Sequence, residues 1–175
     1  MRRAINPYTL RGSAGFTLVE ILIVVVVLGI LAAIAVPQFT NASHSANESS
    51  LKDDLRYLRT QVSVYQSQHH DVPPGFPQGN TAGTPTSQSF SDQLTLFSDE
   101  YGNVSATSSS VYPLGPYLPN IPKNPVNNLN TVEMIGPGPT PTPDDSTGWL
   151  YQPSTGFLVP NLSGADSEGK AYAGY

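Results

Sequence analysis

Glu20 is the residue whose chemistry most needs explaining. It is the only charged side chain between Phe16 and Val36, in the run G-F-T-L-V-E-I-L-I-V-V-V-V-L-G-I-L-A-A-I-A-V. A carboxylate in a segment of this kind is unfavourable in hydrocarbon unless it faces a partner, so an intramembrane charge points to a function. The candidate partner is the amine that a cut between Gly15 and Phe16 would create. The plainer alternative is that Glu20, being near one end of the run, snorkels to the membrane interface.

The other chemically capable residues are dispersed. His69 and His70 are neighbours, and adjacent residues do not share a helix face, so they make a poor metal pair. A charged imidazolium is favoured near a helix C-terminus, which accounts for them structurally. His44 is isolated, and the chain has no cysteine, so neither thiol chemistry nor a disulfide is available. No Ser-His-Asp arrangement occurs in a plausible setting, and G-P-G-P at 136–139 has no following helix that would bind an anion. The chain therefore reads as a non-enzyme.

The elements that position Glu20 follow from patterning. Ile21 to Val36 carries no polar side chain, and a helix over Phe16–Val36 spans about 30 Å, the thickness of a bilayer core. Pro37 then marks a kink, and neither Pro nor Gly recurs until Pro73. In that window Leu51, Leu55, Leu58, Val62 and Tyr65 form an amphipathic stripe, with Lys52, Asp53, Arg56 and Arg59 off it. This predicts one long helix from about Phe16 to about His70, stopped at D-V-P-P-G. A short second helix is predicted over Phe90–Phe97, with Ser89 or Ser91 as N-cap.

Beyond it, 99–110 reads as a loop. The prolines at 113, 116, 119, 122 and 125 impose an extended path, whose Leu114, Tyr117, Leu118, Ile121 and Val126 can lie along a helix surface. Residues 131–135 suit a strand, and G-P-G-P-T-P-T-P-D-D-S-T-G a linker-like loop. G-W-L-Y-Q, P-S-T-G and F-L-V-P-N suit a hairpin turning at Ser154 and Thr155, and 163–175 a loop. The fold class is α+β: a long N-terminal helix, half transmembrane and half amphipathic, packed by a small antiparallel sheet with long Pro-rich loops. Trp149, Tyr151, Phe157 and Val159 are the side chains expected against the stripe. Without a disulfide the core is small, and modest stability follows.

Charge is segregated. Arg2, Arg3 and Arg11 precede the apolar run and no acidic residue does, so the N-terminus is expected in the cytoplasm and the remainder outside it. Without residues 1–15 the chain keeps five basic against thirteen acidic side chains, which argues against a nucleic-acid partner.

G-F-T-L-V-E, the unbroken apolar run and Pro37 together resemble the N-terminus of the type IV pilin superfamily. D-V-P-P after the helix, G-P-Y-L-P-N-I-P-K-N-P, G-W-L-Y-Q-P-S-T-G and S-G-A-D-S-E-G resemble the pseudopilins of type II secretion, especially the major pseudopilin. The match is strong over residues 11–40 and looser beyond, interrupted by 78–110. The resemblance implies a leader of residues 1–15, a transmembrane and filament-core helix over 16–37, an amphipathic continuation over 38–72 and a globular domain over 73–175.

It also implies roles. A prepilin peptidase would cut after Gly15 and N-methylate Phe16. Glu20 would pair with the Phe16 amine of a neighbouring subunit and set the register between subunits. The segment from Gly29 to Pro37 would lose helicity in the filament; packing of another helix against the small Gly29 explains that glycine equally well. The implied partners are further copies of the chain, the peptidase, an inner-membrane assembly platform and the membrane itself before assembly. Calcium is the one cofactor implied, in a loop where Asp166 and Glu168 are the oxygen donors. A second downstream aspartate is missing, so a solvated acidic loop is the competing reading, and Asp144 with Asp145 a weaker site.

The function implied is that of a structural subunit in a periplasmic pseudopilus. A surface pilus subunit and a monomeric anchored binding module with a proline-rich face are the alternatives. For residues 1–36 the competing reading is a secretory signal removed at A-A-I-A-V, or a simple anchor.

Overall fold

The computed structural model describes residues 15–139 and 142–175. The basic residues Arg2, Arg3 and Arg11, and Thr140 and Pro141 of the linker-like loop, lie outside the described residues. The described residues form two compact units, divided between Ala42 and Ser43. The helix α1, Leu18–Gln68, contributes to both.

In the first unit α1 is apolar on every side. Its side chains from Leu18 to Val36 are all exposed, with Leu18 at 81% and Val27, the least exposed of its large apolar side chains, at 48%. Nothing among the described residues covers them, although the segment is long and apolar enough to cross a membrane. A helix that is hydrophobic all round needs lipid or other helices as its surroundings. The helix runs through Gly29 and Pro37 without interruption.

In the second unit the predicted stripe is the spine of the core. Leu51, Leu55, Leu58, Val62 and Tyr65 are all buried. They share one cluster with Phe90, Leu94, Leu118, Ile121, Val132, Trp149, Tyr151, Leu158 and Leu162. α1 stops at Gln68, where His70 and Asp71 take positive φ, before the prolines are reached. The short helix α2, Ser87–Thr95, starts earlier than expected. Its N-cap is Thr86, whose Oγ1 accepts from the Ser89 N–H at 3.1 Å, and not Ser89 or Ser91. Phe97 lies outside it, in β1 (Phe97–Ser98), which pairs antiparallel with β2 (Val104–Ser105) inside the expected loop.

The main sheet has the order β3 (Val132–Met134), β4 (Trp149–Gln152), β5 (Phe157–Pro160). The hairpin β4–β5 turns through 153–156 as predicted, with Gly156 at φ +70 closing the turn. Two expectations are corrected. β3 runs parallel to β4, so the sheet is mixed; the long connection from Met134 to Trp149 supplies the dozen or more residues that a parallel crossover needs. Leu158 is the β5 side chain that joins the α1 cluster; Val159, although buried, lies on the opposite face with the half-buried Phe157. The four-residue turn pairs Gln152 with Phe157, which sets Leu158 opposite Tyr151 and Val159 opposite Leu150. A shift of one residue in parity moves every side chain to the other face.

The proline-rich segment crosses the core as predicted, with Leu118 and Ile121 buried, but Val126 is 42% exposed. Its Pro122 carbonyl accepts from Trp149 Nε1 at 2.9 Å. Gln93 of α2 is buried and staples the loops around it. Its Nε2 donates to the Phe76 and Gly102 carbonyls, and its Oε1 accepts from the Gly75 N–H at 2.7 Å.

His69 differs from the charged group expected at a helix end. It is 1% exposed and stacks on Tyr65 with ring centroids 3.7 Å apart. Its Nδ1 donates to the Tyr65 carbonyl at 2.7 Å and its Nε2 accepts from Ser98 Oγ at 3.0 Å. Burial pushes its pKa below the ordinary histidine value, more than the Tyr65 carbonyl raises it. The folded state therefore favours neutral His69. Its contribution is complete above the unfolded pKa of about 6.5 and is lost as pH falls from there through the lowered folded value. Thermal unfolding between pH 7 and 5 is expected to show a falling Tm for the native chain and a flatter profile for His69→Gln.

Candidate assembly site at the start of the first helix

Glu20 lies in the first turn of α1, three residues after Thr17. The Thr17 N–H donates to Glu20 Oε2 at 2.8 Å and the Thr17 hydroxyl to the same oxygen at 2.9 Å. In return the Glu20 N–H donates to Thr17 Oγ1 at 3.2 Å. This reciprocal pair is a capping box, in which Thr at the N-cap and Glu at the third helical position satisfy each other's free N–H groups. The carboxylate also sits at the positive end of the helix dipole. Sequence reasoning about Glu20 passed over Thr17. The signal was present as T-x-x-E directly before an apolar run.

The capping box gives Glu20 a partner inside its own chain. Both Thr17 bonds converge on Oε2, and among the described residues Oε1 has no hydrogen-bond partner. One oxygen thus holds the helix end, and the side chain as a whole stays exposed. Phe16 stands next to it, 82% exposed, and Gly15 precedes it with open space on the side where a side chain would stand. Gly29 is equally open, so among the described residues no other helix packs against it.

The residues considered for calcium are arranged differently. Asp166 is buried, and its Oδ1 accepts from the Glu168 N–H at 3.0 Å and the Lys170 N–H at 2.8 Å. Its Oδ2 accepts from the Tyr175 hydroxyl at 2.6 Å and lies 3.8 Å from Lys52 Nζ. The Tyr175 hydroxyl, foremost, holds the Asp166 pKa below the ordinary aspartate value; the Lys170 and Glu168 N–H groups and the Lys52 charge act with it against burial. The Glu168 side chain is exposed. Asp144 Oδ1 accepts from the Ser146 N–H and hydroxyl and from Asn161 Nδ2, and Asp145 binds the Ser163 N–H and hydroxyl. Among the described residues no three His, Cys, Asp or Glu side chains converge to hold a metal. A carboxylate whose oxygens are already bonded, beside an ammonium, does not suit a divalent cation. His69 has both ring nitrogens in use, and His70 Nε2 lies 3.5 Å from Glu100.

Residues 10–36 match the family model described as the prokaryotic N-terminal methylation motif. The chain is 38% identical over 63 residues to the type II secretion system core protein G of Pseudomonas aeruginosa, covering 36% of this chain and 44% of that one. It is 37% identical to a type IV narrow pilus major component of Thermus thermophilus over 34% of this chain and 51% of that one. A longer match, 26% identical over 128 residues, covers 73% of this chain and 76% of the type II secretion system core protein G of Aeromonas hydrophila. The matched stretch spans about half the length of the first two relatives. No solved structure matches the chain significantly.

Proposed function

We propose that this chain, a pilin-superfamily and pseudopilin-like protein, is a structural subunit that polymerises through its first helix into the pseudopilus of a type II secretion system. The observation that carries the proposal is the pairing of an exposed, capped Glu20, with one oxygen unbonded among the described residues, with a helix whose apolar surface no described residue covers. Before assembly the bilayer surrounds that surface, and in the filament other copies of α1 do. Cleavage after Gly15 frees the Phe16 amine, and N-methylation keeps it basic. Each amine then meets the Glu20 carboxylate of a neighbour. An ion pair among apolar helices is unforgiving of a wrong partner, so it fixes register more than it adds stability.

The same reading places the N-terminus in the cytoplasm and residues 43–175 in the periplasm, with a prepilin peptidase and an inner-membrane platform as partners. It gives Gly29 and Pro37 a role in assembly. Glycine costs about 1 kcal/mol in a helix and proline removes a backbone donor, so Gly29–Pro37 is the stretch of α1 that most easily unwinds when helices crowd together.

A surface pilus is the second reading, favoured by the likeness to the Thermus pilus component. Deleting the gene in its host separates the two. Loss of protein export with surface filaments intact supports the pseudopilus, and loss of surface filaments with export intact supports the pilus.

A further inference from the structure

Glu48, Lys52 and Arg59 lie four and seven residues apart on α1, close to one helix face. All three engage the segment 158–175. Glu48 Oε1 accepts from the Ser167 N–H at 2.8 Å and its Oε2 from the Ser167 hydroxyl at 2.7 Å. Lys52 Nζ stands 3.8 Å from Asp166 Oδ2 and 4.7 Å from the centre of the Tyr175 ring. Arg59 donates twice to the Leu158 carbonyl, at 3.1 and 2.7 Å, and once to the Tyr175 main-chain oxygen at 3.2 Å. The Asp166 side chain is 1% exposed, so its charge must be met within the protein.

We propose that residues 161–175 are locked onto α1 by a metal-independent clasp, in which the Lys52 ammonium and the Tyr175 phenol meet the buried Asp166 carboxylate in the role a bound divalent cation would otherwise fill. Asp166 organises the loop by taking the Glu168 and Lys170 N–H groups, as an Asx turn does. Lys52 then supplies the compensating positive charge from α1, and Tyr175 closes the ring of donors while its face receives the same ammonium. Glu48 fastens the middle of the segment at Ser167, and Arg59 its two ends at Leu158 and Tyr175. The clasp holds whether the subunit builds a pseudopilus or a pilus, because it lies within one subunit.

The test uses the full chain in detergent micelles, with thermal unfolding followed in excess EGTA and in millimolar CaCl2, and with trypsin cleavage at the exposed Lys170 as a local readout. The native Tm and cleavage rate are expected to be the same in both conditions. Lys52→Met, at a side chain that is 50% exposed, is expected to fold, to unfold about 4 °C lower and to be cut several-fold faster at Lys170. Tyr175→Phe, which removes only the hydroxyl, is expected to accelerate the same cut. A rise in native Tm with calcium, or calcium protection of Lys170, would overturn the proposal. So would cleavage at Lys170 that neither variant accelerates.

Discussion

Replacing Glu20 with Ala is expected to abolish filaments, while the chain still inserts and its folded unit 43–175 unfolds at the native temperature. The variant loses two functions at once, the cap on α1 and the charge offered to a neighbour. Two companions separate them. Glu20→Gln keeps an acceptor that can complete the capping box but removes the charge. It is expected to preserve the helix start and still yield no filaments. Thr17→Val keeps the charge and removes the hydroxyl, at a cost of about 1 kcal/mol of helix-end stability. It is expected to lower filament yield severalfold without abolishing it. Sheared or cross-linked filaments, counted with the peptidase present, are the readout. Normal filaments from Glu20→Ala would remove the carboxylate from the account of assembly.

The largest effect on stability is expected from Trp149→Ala. Trp149 is fully buried in the core that joins β4 to the α1 stripe, and its Nε1–H donates to the Pro122 carbonyl. Truncation removes the largest side chain of the core and leaves that carbonyl without its donor. A loss of about 3–5 kcal/mol follows, a large part of what a domain of this size has. Trp149→Phe retains most of the apolar area and loses the hydrogen bond, so a loss of about 1–2 kcal/mol is expected. Urea unfolding in detergent micelles measures both. A Trp149→Ala chain as stable as the native one would mean that the proline-rich segment and the sheet do not share one core with α1.

How far the sequence could be read depended on the range of the interaction. The stripe from Leu51 to Tyr65 was legible because helical periodicity is local and no Pro or Gly breaks it. The hairpin was legible from P-S-T-G, but its face was not. Whether Leu158 or Val159 faces the α1 stripe depends on the residue count through the turn, and both are apolar and buried. The parallel pairing of β3 joins residues across a long loop, and no local pattern encodes it. The helix dipole alone suggests a charged His69, whereas Ser98 and Tyr117 close over it from distant parts of the chain, on the side away from its helix neighbour Tyr65's stacked ring. Asp166 reads in sequence as an oxygen donor for a metal, and Lys52, more than a hundred positions earlier, cannot be seen beside it there. Thr17 is the opposite case, a local partner of Glu20 whose capping pattern was in plain view.

The central claim is that Glu20 acts on an amine that exists only after the chain is cut. Mass spectrometry of the N-terminus of the protein recovered from host membranes tests it most directly. The account predicts a chain that begins at Phe16 and carries one additional methyl group on its amine. A chain that begins after Ala35 or Val36, or one still carrying residues 1–15 in assembled material, would contradict it.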